Sequence, residues 1–177
     1  MPHHIARADA LRLTRSEFDL CELLRTMIDL YEPSMSEKNL QVALHCQGSA
    51  KICADAALFH RMIANLLDNE LSHLPPLCRI DIDVRAEEDA LVLVVQDSGP
   101  GFEAEILHHL FERRVKSRTS SGHGLGLAFV DAVVRAHGGM VKVSNRMEGG
   151  ARIAITLPLD YEGRTHRQEQ AGSVLSS

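Results

Sequence analysis

Apolar positions recur along the chain with periods that change from segment to segment, and the changes mark the elements. Leu20, Leu23, Leu24, Met27, Ile28 and Tyr31 fall at helical spacing and predict a helix over 18–37, with Pro33 as an interruption. "LQVALHC" (40–46) alternates as a strand does. Asp55 is placed to cap a long helix over 56–73, which stops ahead of Pro75 and Pro76. "CRIDIDVRA" (78–86) alternates cleanly, as a strand with one wet face should, and "ALVLVVQD" (90–97) reads as a more buried strand. A short helix is expected after "GPGF", and another helix over 124–137, ended by Gly138 and Gly139. "MVKVSN" and "ARIAITLPL" are strands joined through "RMEGG", a hairpin signal. The order α-β-α-β-β-α-β-β predicts an α+β fold. It is a two-layer sandwich, a mixed sheet of about five strands covered on one face by about three helices.

Composition narrows the picture. The 177 residues suit one domain with appendages: 18–159 as the domain, 1–17 as the end of a helix with its linker, and 160–177 as a polar, loose tail. With 45% hydrophobic residues and few aromatics, the core is expected to be aliphatic. A net charge of -5 argues against nucleic-acid binding. The longest apolar run, 90–95, is too short to cross a bilayer, and the N-terminus has no signal-peptide pattern, so a cytoplasmic location is expected. Cys21, Cys46, Cys53 and Cys78 form no CxxC pair; reduced, buried thiols are expected, and zinc is not.

Three local features carry chemistry. "DSGPG" places Asp97 at a strand end, where a carboxylate can accept from an exocyclic amine, with Gly99 and Gly101 allowing close backbone approach. "GHGLGL" runs Gly122, Gly124 and Gly126 into a helix start, whose bare amides suit an anion. On the 56–73 helix, Asn65, Asn69, Ser72 and His73 share one face with Arg61 beside them, while Phe59, Ile63, Leu66 and Leu67 share the other. An amide oxygen is a suitable ligand for Mg²⁺ held jointly with phosphates. Taken singly, these read equally well as a turn, a loop before a helix and a solvated helix face.

In order, "NLLDN", "DSGPGF", "LFERRVK", "GHGLGLAFVDAVVRAHGG" and "GGARIAITLPL" resemble the N, G1, F and G2 boxes and closing strands of the catalytic ATP-binding domain of bacterial sensor histidine kinases. These are Bergerat-fold ATPases, a group shared with DNA gyrase and MutL. The resemblance covers about residues 18–159 and implies ATP and Mg²⁺ as ligands. It makes Asn69 the Mg²⁺-binding asparagine, with Asn65 four residues before it, and Asp97 the adenine-reading aspartate, with Gly99 and Gly101 in its pocket. Gly122, Gly124, Leu125 and Gly126 match the phosphate-facing loop, Phe111 the first F-box aromatic, and Thr156 a threonine near adenine. Residues 110–123 would form a lid, with Lys116 at its basic position.

The departures are as informative. Ser72 stands where the family usually has a cation, with His73 next to it, so Lys116 and Arg118 are expected to compensate in part. Arg113 and Arg114 replace a usual Pro-Phe. Glu70 falls on the apolar side of its helix, where the family has alanine; a buried carboxyl must be paired, snorkelled or protonated. Asn65 cannot take a proton as the gyrase-type glutamate does, so slow hydrolysis and transfer to a histidine are expected. The acceptor H box is not found: His3 and His4 are followed by "IARADA", which suits a truncated start. The acceptor is then expected on a separate dimerisation domain, with a response regulator downstream and this piece monomeric. His108, His109 and His137 read as surface or packing residues. An anti-sigma-type serine kinase, and a degenerate pseudokinase acting through protein contacts, are the alternatives.

Overall fold

The computed structural model describes residues 12–112 and 122–159. Its elements are β1 (Ser16–Asp19), α1 (Leu20–Glu37), β2 (Gln41–Gln47), β3 (Lys51–Ala54), α2 (Ala56–His73), β4 (Arg79–Ala86), β5 (Ala90–Asp97), α3 (Ala104–Glu112), α4 (Gly122–Ala136), β6 (Met140–Asn145) and β7 (Ala151–Pro158). Five strands form one mixed sheet in the order β2-β4-β5-β7-β6. β2 runs parallel to β4, and the other pairings are antiparallel. The α+β class and the five-strand sheet are as expected from the sequence.

Alternation decides which face is covered. Ile80, Ile82 and Val84 of β4, and Ile153, Ile155 and Leu157 of β7, join the core with Phe59, Met62, Ile63, Leu66 and Leu67 of α2. Helix α2 packs between α1 and α4, and the Arg61 guanidinium lies 4.3 Å over the Phe129 ring, tying α2 to α4. Asp55 caps α2 as its position predicts, accepting from the Leu58 N–H at 3.1 Å. Hydrogen bonds from the Thr14 and Leu58 backbone hold the Asp55 carboxyl below the usual range.

Four features differ from the sequence expectation. β1 and β3, four residues each, form a separate antiparallel pair, with Ser16 opposite Ala54. The expected connector thus contains a strand from Ser16 onward. Pro33 does not interrupt α1: it is exposed, and buried Met35 anchors the turn beyond it. The "GHGLG" stretch lies within α4, which starts at Gly122, ahead of the expected bound at 124. Cys21 and Cys46 are bonded to each other, joining α1 to β2, so these two are not reduced thiols; Cys53 and Cys78 are free. Their Cα atoms are 6.5 Å apart, within the range that the bond spans.

Candidate functional site

A cavity opens where the C-terminal half of α2, the loop after β5 and the start of β7 meet. It is lined by Asn69, Glu70, His73, Leu74, Asp97, Pro100, Gly101, Phe102, Ala151 and Ile153. Residues far apart in sequence therefore converge: the asparagine stripe supplies Asn69 and His73, and the glycine-rich turn supplies Asp97 and Gly101.

Asp97 is 4% exposed and held from several sides. Its Oδ1 accepts from the Gly99 N–H at 2.9 Å and the Ala151 N–H at 3.1 Å. Its backbone carbonyl accepts from Arg146 Nη1 at 2.9 Å. Gly150 lies so close that a Cβ there would stand 1.8 Å from the Asp97 carbonyl oxygen. The loop beyond is clamped by Asn145, whose Oδ1 accepts from the Phe102 N–H at 2.8 Å and whose Nδ2 donates to the Phe102 carbonyl at 2.7 Å.

Glu70 is 7% exposed and faces Asp97. Burial, reinforced by the Asp97 charge and by a hydrogen bond to the Asp97 side chain, pushes the Glu70 carboxyl up to about 9. Of the outcomes open to a buried carboxyl, burial beside Asp97 favours protonation. The nearby cation does not neutralise it: Arg146 donates to the Asp97 carbonyl and to Glu148.

The start of α4 meets the cavity at Asn69. A Cβ on Gly126 would stand 3.1 Å from both atoms of the Asn69 amide group, so glycine permits this approach. Gly122, Gly124 and Leu125 precede it within the same helix. Helix starts carry unpaired N–H groups, and Gly126 places the early part of α4 against the Asn69 amide.

The other expected site residues are placed as follows. Asn65 lies one turn before Asn69, half-buried and outside the cavity lining. Ser72 is exposed. Gly99 donates to Asp97 but is not among the lining residues. Thr156 is exposed on β7 and sits opposite Val92, on the face turned away from Ile153, Ile155 and Leu157. Strand alternation excludes it from the cavity, and Ala151 and Ile153 line that position instead. Phe111 falls in the last turn of α3, its side chain outside the described residues. Arg113, Arg114, Lys116 and Arg118, and most of the expected lid, also lie outside the described residues. Asn145, Arg146 and Gly150 were not anticipated: "SNR" and "EGG" signal only a strand end and a hairpin.

Comparison with known proteins identifies the family. Residues 54–161 match the family described as histidine kinase-, DNA gyrase B- and HSP90-like ATPase. The chain is 33% identical over 156 residues to the sensor protein KdpD of Escherichia coli, covering 86% of this chain and 17% of that protein. It is 31% identical over 163 residues to the sensor protein CzcS of Cupriavidus metallidurans, covering 88% and 34%. It thus spans about a third or less of the length of these relatives. The catalytic domain of the histidine kinase ThkA shares the fold, with a TM-score of 0.72 at 23% identity over 82% of this chain and 97% of that one. Full-length ShkA in complex with AMPPNP superposes with a TM-score of 0.72 at 27% identity, over 88% and 34%. ThkA in complex with the response regulator protein TrrA gives 0.71 at 22% identity, over 90% and 46%. The chain belongs to the histidine kinase-, DNA gyrase B- and HSP90-like ATPase family, and it corresponds to the catalytic ATPase module of sensor histidine kinases.

Proposed function

We propose that this domain binds Mg-ATP and donates the γ-phosphoryl group to a histidine on a dimerisation domain, in a two-component pathway ending at a response regulator. The observation that carries this reading is one cavity lined by Asn69, His73 and Asp97, with Gly126 of α4 close against the Asn69 amide. Asp97, fixed by two backbone N–H groups, accepts from the exocyclic amine of adenine. The amides at the start of α4 take phosphate oxygens. The donor set suits Mg²⁺: one neutral amide oxygen from Asn69, with phosphates and water completing the shell, is how this ion is commonly held. Bound there, the ion would offset charge on the phosphates. Among the described residues no cluster of three or more His, Cys, Asp or Glu is arranged for a metal.

Asn65 stands one turn before Asn69 and has no basic site, which favours transfer to an imidazole over activation of water. The relatives named above, sensor proteins and a histidine kinase, favour this reading over an anti-sigma serine kinase. The TrrA complex of ThkA supports a response regulator as the downstream partner. No described helix is long and apolar enough to cross a membrane.

Calorimetric titration of ATP and ADP, with and without Mg²⁺, tests the proposal in the natural sequence and in Asn69→Ala. Saturable binding that strengthens with Mg²⁺ and loses that gain in Asn69→Ala is expected. Absence of binding in the natural sequence would favour the second reading, a pseudokinase domain, for which Glu70 in the cavity is the supporting observation.

A further inference from the structure

The sheet has a second face, turned away from the helices. Ile80 and Ile82 of β4, Leu91 and Leu93 of β5, and Ile153 and Ile155 of β7 join the core, so the residues alternating with them point the other way. Val92 and Val94, on the central strand, lie on that face. Each is 7% exposed, yet neither belongs to the core cluster. Charges of opposite sign flank this apolar centre. Asp81 and Asp83 stand on β4, to one side; Arg152 on β7 and Lys142 on β6 stand to the other.

The register orders these groups in rows. Asp81, Gln96 and Arg152 share one row, and Asp83, Val94, Ala154 and Lys142 the next. Asp81 and Arg152 are thus two strand spacings apart, about 10 Å, too far to pair within one chain. Among the described residues, the side chains of Asp83, Lys142 and Arg152 meet no ion-pair or hydrogen-bond partner, while Asp81 has Arg79 at 3.0 Å and His45 at 3.9 Å. Asp83 and Arg152 are only half-exposed, so each loses hydration without gaining a partner.

A two-fold axis parallel to the strands and over β5 supplies the missing partners. It sets β5 on β5, and β4 on β7 of a second copy. Arg152 of each copy then stands over Asp81 of the other, twice by symmetry, and the valines meet at the centre. Strand directions stay aligned, as in packed sheets. An axis across the strands would instead set Asp83 on Asp83 and Lys142 on Lys142. The patch spans five strands and three rows, on the order of 500 Å² per copy, which is the low end for a specific interface and makes the pairing weak. The nucleotide cavity lies at the strand ends beside α2 and stays open.

We propose that this sheet face is where two copies of the chain associate, with Asp81 and Arg152 as the reciprocal pair. The inference is independent of the ATP reading, and it replaces the expected monomer with a weak dimer.

Analytical ultracentrifugation of the full chain over a series of micromolar concentrations tests it. The natural sequence should show a monomer–dimer equilibrium that weakens with added salt. Arg152→Glu sets acid on acid and Asp81→Arg sets base on base, so each alone should lose the dimer. An equimolar mixture of the two should regain it, because both contacts are then of opposite sign. Circular dichroism checks that each variant folds. Arg152→Ser, the milder change, should weaken pairing about tenfold and serves if a reversal does not fold. A natural sequence that stays monomeric at every concentration overturns the proposal; if removal of 160–177 then releases a dimer, the tail is the occupant of the face instead. Dimers that survive both single reversals overturn it, since the copies then meet elsewhere. Folded single variants that stay monomeric when mixed overturn it as well, since the axis is then wrong.

Discussion

The Asp55 N–H donates to Nε2 of His137 at 3.0 Å, joining the cap of α2 to a ring 82 residues further along. Nδ1 of the same ring lies 2.7 Å from the Val133 carbonyl, so Nδ1 carries the hydrogen and Nε2 accepts. The ring also stands edge-on to Phe59, with centroids 4.9 Å apart. His137 is thus the packing residue its sequence context suggests, with a second task of satisfying a buried donor. His137→Leu keeps most of the volume but strands that N–H, and should cost about 2 kcal/mol. Urea unfolding measures it, and His60→Leu, at an exposed site on α2, should cost less than about 0.5 kcal/mol.

Stability should depend on pH through Glu70. Its folded value of about 9 lies above the ordinary 4.5, so between those limits the folded chain holds a proton that the unfolded chain has released. Its contribution is therefore fully present below about pH 4.5, falls as pH rises, and levels off above about 9. At pH 7 the loss is on the order of 3 kcal/mol. Glu70→Gln should flatten this slope, raising the melting temperature at pH 8 relative to the natural sequence but not at pH 5. Parallel melting curves across that range for the two proteins would refute it.

Gly149 and Gly150 make a matched pair of tests. Both have positive φ, +96° and +105°. A Cβ on Gly149 meets nothing within 4 Å, whereas one on Gly150 would collide with the Asp97 carbonyl. Gly149→Ala should cost about 1 kcal/mol from backbone strain. Gly150→Ala should cost upwards of about 2 kcal/mol and displace Asp97. Thermal melting orders the two, and ATP titration should show loss of affinity in Gly150→Ala alone.

Cysteine chemistry is directly countable. With Cys21 bonded to Cys46 and two cysteines free, thiol titration of the unreduced, denatured chain should find two thiols, rising to four after reduction. Closing a loop with a sequence separation of 25 is worth about 3 kcal/mol in the chain-entropy account. Reduction, or Cys46→Ala, should lower stability by about that amount.

Periodicity made the long elements legible. The α2 bounds, the β5 strand and the Asp55 cap all follow from spacing and flanking residues, because each buries one regular face. β1 and β3 escaped because four residues are too few to establish a period. Pro33 misled because exposure of its own turn and burial of Met35 outweigh one missing donor. Glu70 was legible as a misfit, but its neighbour Asp97 is distant in sequence and brought near only where α2 packs at the end of β5. Thr156 was placed by resemblance alone; counting along β7 by twos puts it on the opposite face from Ile153. Asn145 and Arg146 act through the Phe102 and Asp97 backbone, a contact with no signature in either segment.

The hairpin that holds Asp97 also sets when the cavity can exist during synthesis. Asp97 waits for Arg146 and Ala151, 49 and 54 residues downstream. A nascent chain that has completed α2 and β5 has made Asn69, Glu70 and Asp97 but not the groups that orient them. A chain stopped before residue 145 should leave Asp97 without that clamp. Translation thus places competence to bind nucleotide near the end of the domain's synthesis, after nearly all of its core has been made.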